Sequence, residues 1–370
     1  MRATRESLID SLKLLVEIET PSGDLPSLER GFEALADLVL TYTGREAIID
    51  RVDGVPYLYL APTASPSVLI IGHLDTVWPV GTLSTIPFEV RGDVVTGPGV
   101  FDMKAGLVIA LAALADCAVS DHAGLLVTGD EEVGSPTGRG LIEKYAPLAV
   151  AVLIPEPAAP GGGIKSARKG VGLYQFTIQG VEAHAGLEPE RGANTTVEMA
   201  ALISDLVKLQ DVSVGTTVTP TKATSGVTAN TVPAEAILHT DVRAWTAPEL
   251  TRIDEAVRGR QPHVSGVTVT LSGGINRLPL EERLTADLVR LAREVALDVG
   301  MGHVDTAAVG GASDGNFCAS AGVPTLDGVG ACGGGAHARD EWVDLTSVHA
   351  RATWLARIIE RVVQQFSPTV

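Results

Sequence analysis

Cysteine is scarce in this sequence: Cys117, Cys318 and Cys332 are the only three in 370 residues. An odd number at wide spacing, with no CxxC pair, implies neither a disulfide framework nor a thiolate-bound structural zinc. Positive charge is also in deficit, with 28 Lys and Arg against 45 Asp and Glu and a formal net charge of −17. With no Lys/Arg cluster, that balance excludes a nucleic-acid partner and argues against docking on anionic membrane. No apolar run approaches the roughly 20 residues of a membrane span. The first twenty residues place Leu8, Leu12 and Leu15 at helical spacing, interrupted by Glu6, Asp10 and Lys13. They read as an amphipathic helix rather than a secretion signal, and a cytoplasmic location is expected. Aromatics make up only 4% of the chain, whereas glycine is abundant at 40 residues, which suggests many tight turns between strands and helices.

What is present is an alternation of strand and helix signals. Leu28, Phe32, Leu35 and Val39 mark a second helix that stops at Gly44, and short aliphatic runs follow at 47–52, 57–61 and 67–73. The run SVLIIGH is almost wholly apolar, as expected of a strand buried on both faces. A helix from about Lys104 to Asp116, a strand at 124–130, a helix at 138–145 and a strand at 149–156 complete a pattern that predicts an α/β layer fold with a mostly parallel sheet between helices. After Gly170 the pattern becomes strand, helix, strand, strand, helix, strand. This predicts a separate α+β unit, ferredoxin-like in order, inserted over 172–275 into a discontinuous larger domain of 1–171 and 276–370. Helical periodicity resumes with Leu284, Leu288, Leu291 and Val295 and closes the chain with Val348, Leu355, Ile359 and Val362.

The positions of the acids and histidines are the most informative feature. His73 and Asp75 end the buried strand, Asp130, Glu131 and Glu132 follow LLVTG, and Glu156 follows AVLIP between two prolines. Asp102 stands after GPGVF at the entrance to a helix, and His337 lies in the glycine-rich GACGGGAHARD. In open α/β sheets ligands bind beyond the carboxyl ends of the strands, where such residues converge. Nitrogen and oxygen donors without thiolates suit a catalytic zinc, or a pair of ions bridged by one carboxylate. Asp75, two residues beyond His73, is placed to hold the second imidazole nitrogen. GPGVFD is not a dinucleotide loop, because Asp102 occupies the place of the third glycine.

GHLDTVWPVG, GPGVFDMKAG, TGDEEVGS, the PEP segment and the late histidine, in this order and over nearly the whole chain, resemble the signatures of the di-zinc aminoacylase/carboxypeptidase family. That family includes aminoacylase, acetylornithine deacetylase, succinyl-diaminopimelate desuccinylase and bacterial glutamate carboxypeptidase, the last being the nearest in look. The resemblance implies two Zn2+ per chain, with Co2+ or Mn2+ as possible substitutes. His73 and Glu156 would hold one ion, Glu132 and His337 the other, and Asp102 would bridge them. Asp75 would orient His73, Glu131 would act as general base, and the Asp102–Met103 peptide would be cis. It further implies a homodimer formed through the inserted domain, with His184 of VEAHAG reaching across the interface to the oxyanion, and Asn230 and Arg243 supplied to the substrate. Arg243 suits a substrate carboxylate, which guanidinium grips bidentately, and Arg277, Arg168 and Lys169, expected near the hinge between the domains, are further candidates. The loop GGASDGN at 310–316 resembles a family loop near the substrate.

The expected reaction is hydrolysis of the amide bond in an N-acyl amino acid or short peptide with a free carboxylate. A glutamate-carboxypeptidase-like enzyme is the nearest-looking subtype and an N-acyl-amino-acid deacylase the runner-up; an aminopeptidase would need an acidic pocket, and the complete ligand set with Glu131 speaks against a binding protein that has lost catalysis.

Overall fold

The computed structural model describes residues 4–366. Two compact units divide the chain: one runs to Ala167 and resumes over Glu281–Val309 and from Ser313, and the other holds Arg168–Leu280 with Gly310–Ala312. Among the described residues no helix is long and apolar enough to cross a membrane.

The first unit is built on an eight-stranded sheet. Its strands are β1 (Ile48–Val52), β2 (Val55–Leu60), β3 (Val68–His73), β4 (Ala123–Thr128), β5 (Ala151–Ile154), β6 (Ile164–Arg168) and, after the second unit, β11 (Thr306–Val309) and β12 (Thr325–Asp327). Their spatial order is β1-β2-β4-β3-β5-β12-β6-β11. The four central strands are parallel, and antiparallel strands flank them on both sides. The apolar run of β3 is explained by its two faces: Val68 and Ile70 belong to one buried cluster, Leu69 and Ile71 to another. The first cluster is covered by α1 (Arg5–Glu17), α2 (Leu25–Thr43), α3 (Ala105–Asp116), α7 (Glu282–Asp298) and α9 (Leu345–Phe366). The second is covered by α4 (Gly138–Tyr145) and α8 (Gly315–Ser320). This is a three-layer α/β arrangement, the fold class its sequence pattern predicts.

Helix ends follow local chemistry. Asp24 caps α2 by accepting the Ser27 N–H at 3.1 Å, and Gly44 ends it at φ 70°, where a side chain would be strained. The predicted stripes on both helices are realised, with Leu8, Leu12, Leu15, Leu28, Phe32, Leu35 and Val39 all buried.

The second unit pairs β7 (Gly170–Gln179), β8 (Thr217–Ser225), β9 (Glu235–Ala244) and β10 (Thr268–Arg277) in the order β8-β9-β7-β10, with every neighbour antiparallel. Alternate residues such as Tyr174, Phe176, Ile178, Leu238 and Val242 pack beneath α5 (Thr195–Lys208) and α6 (Ala247–Arg258). A further small antiparallel sheet of the first unit includes the segments 89–91, 94–96, 333–334 and 342–344, the last two on either side of His337.

Candidate active site

The parallel strands of the first unit deliver their acids to one rim. His73 is the last residue of β3, and the chain turns immediately into Asp75, which has no exposed surface. A buried carboxylate must be satisfied by donors. Here Asp75 accepts the Ser22 hydroxyl at 2.6 Å and the backbone N–H groups of Glu131 and Glu132, each at 3.1 Å. It therefore ties the turn after β4 to the turn after β3. His73 Nδ1 lies 2.9 Å from the Asp75 backbone carbonyl and 3.4 Å from its carboxylate, so backbone and side chain share the role that sequence reasoning gave to the side chain alone.

Asp102 is presented by a loop that Gly97 and Gly99 enter at positive φ. At Gly99 a Cβ would meet the Thr76 methyl at 2.5 Å, so the close approach of this loop to the β3 turn requires glycine. The Asp102–Met103 peptide is cis. The carboxylate of Glu341, itself buried, accepts N–H groups from Gly99 at 2.8 Å, Phe101 at 2.8 Å and Asp102 at 3.0 Å, together with the Trp78 indole at 3.0 Å.

The donor atoms converge in two sets. His73 Nε2 lies 3.4 Å from Asp102 Oδ1 and 3.6 Å from Glu156 Oε1. His337 Nε2, on a residue held at φ 62°, lies 3.4 Å from Asp102 Oδ2 and 3.1 Å from Glu132. The two oxygens of Asp102 thus face different imidazoles. Zinc takes nitrogen and oxygen ligands at about 2.0–2.2 Å in a tetrahedral array, which sets neighbouring donors roughly 3.4 Å apart. The observed spacings match that edge, and the all N/O donor set fits the ion. One atom each from His73, Asp102 and Glu132 falls within 4.8 Å of the others.

Electrostatics report the same crowding of acids. Burial works against protonation of His73, but hydrogen bonds to Asp102, Asp75 and Glu156 outweigh it and hold the imidazole well above its ordinary range. His337 is pushed up to about 10, chiefly by Asp102 and Glu132. Burial would raise Asp102, yet the two histidines hold it well below the usual carboxylate range. For Glu132 burial wins, and its carboxyl is raised.

The other sequence candidates lie in the second unit. His184 and Asn230 meet at one corner, where Ala183–His184 pairs with Thr231–Val232 and the Ala185 N–H donates to the Asn230 carbonyl at 2.9 Å. His184 is exposed, and its Nδ1 accepts the Gly186 N–H. Arg243 and Arg277 are both in register with Val171, on either side of β7. The bidentate edge of Arg243 is engaged by Asp241 at 2.8 and 2.9 Å, while the buried Arg277 donates to the Asn276 side chain. Arg168 is buried and donates to the Gly311 carbonyl at 3.2 Å.

Three residues near the rim escaped sequence reasoning. Glu341 reads there as part of a charged turn. Lys165 sits 3.8 Å from Glu156 in β6, a strand too short and polar to carry a pattern. Lys104 is buried, donates to the Leu15 and Ile18 carbonyls at 2.7 and 3.0 Å, and is drawn down to about 7 by desolvation.

Comparison with known proteins now bears on this geometry. The profile of "Peptidase family M20/M25/M40" matches residues 69–361. Carboxypeptidase G2 of Pseudomonas sp. (strain RS-16) is 29% identical over 379 aligned residues, covering 95% of this chain and 88% of the relative. A succinyl-diaminopimelate desuccinylase of Novosphingobium aromaticivorans is 25% identical, covering 90% and 91%. In three dimensions the aminopeptidase PepT of Bacillus cereus superposes with a TM-score of 0.73 at 20% identity, over 98% of this chain and the whole of that one. The match spans the residues from β3 into α9, including every residue of the two donor sets, and the chain belongs to the peptidase family M20/M25/M40.

Proposed function

We propose that the chain is a co-catalytic di-zinc hydrolase that cleaves the amide bond of an N-acyl amino acid or short peptide bearing a free carboxylate, in the manner of a glutamate carboxypeptidase. The observation that carries this reading is Asp102, whose oxygens each stand 3.4 Å from the Nε2 of a different histidine. His73 and Glu156 would hold one ion and His337 and Glu132 the other, with Asp102 shared between them. Bound zinc supplies Lewis acidity toward the scissile carbonyl and acidifies water.

The protein's own groups do the rest. Glu131, fixed through its backbone N–H to Asp75, takes a proton from the attacking water and passes it to the leaving amine as the C–N bond breaks. Asp75 holds His73 and the Glu131–Glu132 turn in one frame. In this reading the inserted region 172–275 is the dimerisation or lid domain of a cytoplasmic homodimer, His184 of the partner subunit stabilises the oxyanion, and Asn230, Arg243 and Arg277 receive the substrate. Asp241 occupies the Nε–Nη2 edge of Arg243, so a substrate carboxylate would meet the Nη1 side of the guanidinium or displace Asp241.

An N-acyl-amino-acid deacylase is the second reading, favoured by the full-length similarity to a desuccinylase. A panel of N-acyl amino acids and dipeptides with different C-terminal residues, assayed on wild type and Glu131→Gln, tests both. The variant keeps its zinc and loses turnover by at least about 100-fold, the range of a general base. Retained turnover removes Glu131 from this role. Wild type cleaving only substrates with a free amine removes the carboxylate-directed reading.

A further inference from the structure

The loop carrying Asp102 does not hold itself. Three of its backbone N–H groups, at Gly99, Phe101 and Asp102, point at one carboxylate, and that carboxylate belongs to a residue some 240 positions away in sequence. Glu341 is 1% exposed, and its fourth donor is the indole of Trp78, just beyond the β3 turn. Each oxygen of Glu341 accepts two of these bonds, so its acceptors are committed on both sides. Burial raises its carboxyl, and the three backbone donors act against that rise. Ionised acceptors bind N–H groups about twice as strongly as neutral ones. The same device appears at Asp75, which gathers the N–H groups of Glu131 and Glu132. One buried carboxylate aligns the loop of the shared ligand, and the other aligns the turn of the base.

We propose that Glu341 is a positioning residue for Asp102, setting the carboxylate astride both cation positions by clamping the 99–102 loop from behind. This rests on the two-zinc reading above. Because each oxygen of Asp102 faces a different histidine, a displaced loop loosens both ions together, whereas loss of Glu132 or Glu156 acts first on one. Glu341→Gln keeps the shape but turns an NH2 group toward two of the four donors, whichever way the amide is oriented.

Zinc affinity, measured on the full chain by competition with a chromogenic chelator, should fall for both ions by roughly 10–100-fold, the range for groups that hold metal ligands in place. Glu198→Gln is the structural control. Glu198 is a buried carboxylate of the second unit that likewise accepts two backbone N–H groups, from His263 at 2.7 Å and Val264 at 2.8 Å. It should lower thermal stability and leave zinc affinity unchanged. Should Glu341→Gln not fold, Trp78→Phe, which removes one donor, carries the test with a loss of roughly threefold or more at both ions. Wild type holding no more than one zinc overturns both the two-zinc reading and this one. Two zincs in wild type with unchanged affinity in Glu341→Gln, or an equal loss in Glu198→Gln, overturns the positioning role alone.

Discussion

The Pro155 carbonyl, one residue before Glu156, is gripped between two glycines. A Cβ at Gly106, in the first turn of α3, would stand 1.9 Å from that oxygen, and one at Gly330 would stand 2.1 Å from it and 2.6 Å from the Glu156 backbone carbonyl oxygen. Carbon–oxygen contacts close to no less than about 3.3 Å, so Gly106→Ala demands a shift of more than an ångström from a backbone atom that cannot rotate away. Alanine recovers about 1 kcal/mol of helix propensity at that position. Against this stands an overpacking cost of 1–3 kcal/mol or more, at the upper end because both partners are main chain. The net expectation is a loss on the order of 2–3 kcal/mol, or roughly 5–10 °C in melting temperature for a unit of this size. The displacement falls on Glu156, so on the two-zinc reading the ion that His73 and Glu156 would hold should be lost before its neighbour, and kcat should drop by about 100-fold, as for a 1 Å misplacement. Gly140 in α4 is the counterpart: exposed, with nothing within 4 Å of an added Cβ, its alanine variant should gain about 0.5 kcal/mol. Thermal unfolding and zinc stoichiometry of the two variants decide the matter. Gly106→Ala melting with wild type and holding its full zinc would refute the reasoning.

Removing zinc with a chelator should lower the melting temperature of the first unit, and zinc at about 100 times its dissociation constant should restore roughly 2.7 kcal/mol; a melting curve indifferent to zinc contradicts the proposed centre. In the second unit Glu249 is held down at about 2 by Arg252 and the Thr216 hydroxyl. Its folded-state value is depressed, so its stabilisation is full above about 4.5 and is lost as pH falls toward 2. Glu249→Gln should therefore cost about 1 kcal/mol at pH 7, discounted for a partly solvated pair, and progressively less at pH 3, read by urea unfolding. A cost independent of pH would show that packing, not charge, carries the effect.

Much of this was legible in the sequence because the signals were local. The almost wholly apolar β3 announced a strand buried on both faces, the Leu8–Leu12–Leu15 stripe announced α1, and acids at successive strand ends announced a rim. The cis bond after Asp102 followed from the family resemblance. What the sequence concealed depends on partners far along the chain. The strands β6, β11 and β12 have three to five residues and no alternation to detect. Glu341 and Lys104 look like solvated charges until the fold buries them against backbone groups of distant segments. Arg243, an apparent carboxylate grip, already has Asp241 two residues away on the same strand.

The position of β12 has a consequence for biosynthesis. It lies between β5 and β6, yet the ribosome makes it only after every strand and helix of the second unit. Until then the nascent sheet has an open seam beside β5, the strand that leads to Glu156. The second unit, whose strands all come from one continuous stretch, can close on itself during this wait. Maturation of the first unit is therefore a late event that joins both halves of the polypeptide, and His337 arrives only ten residues after the seam is filled.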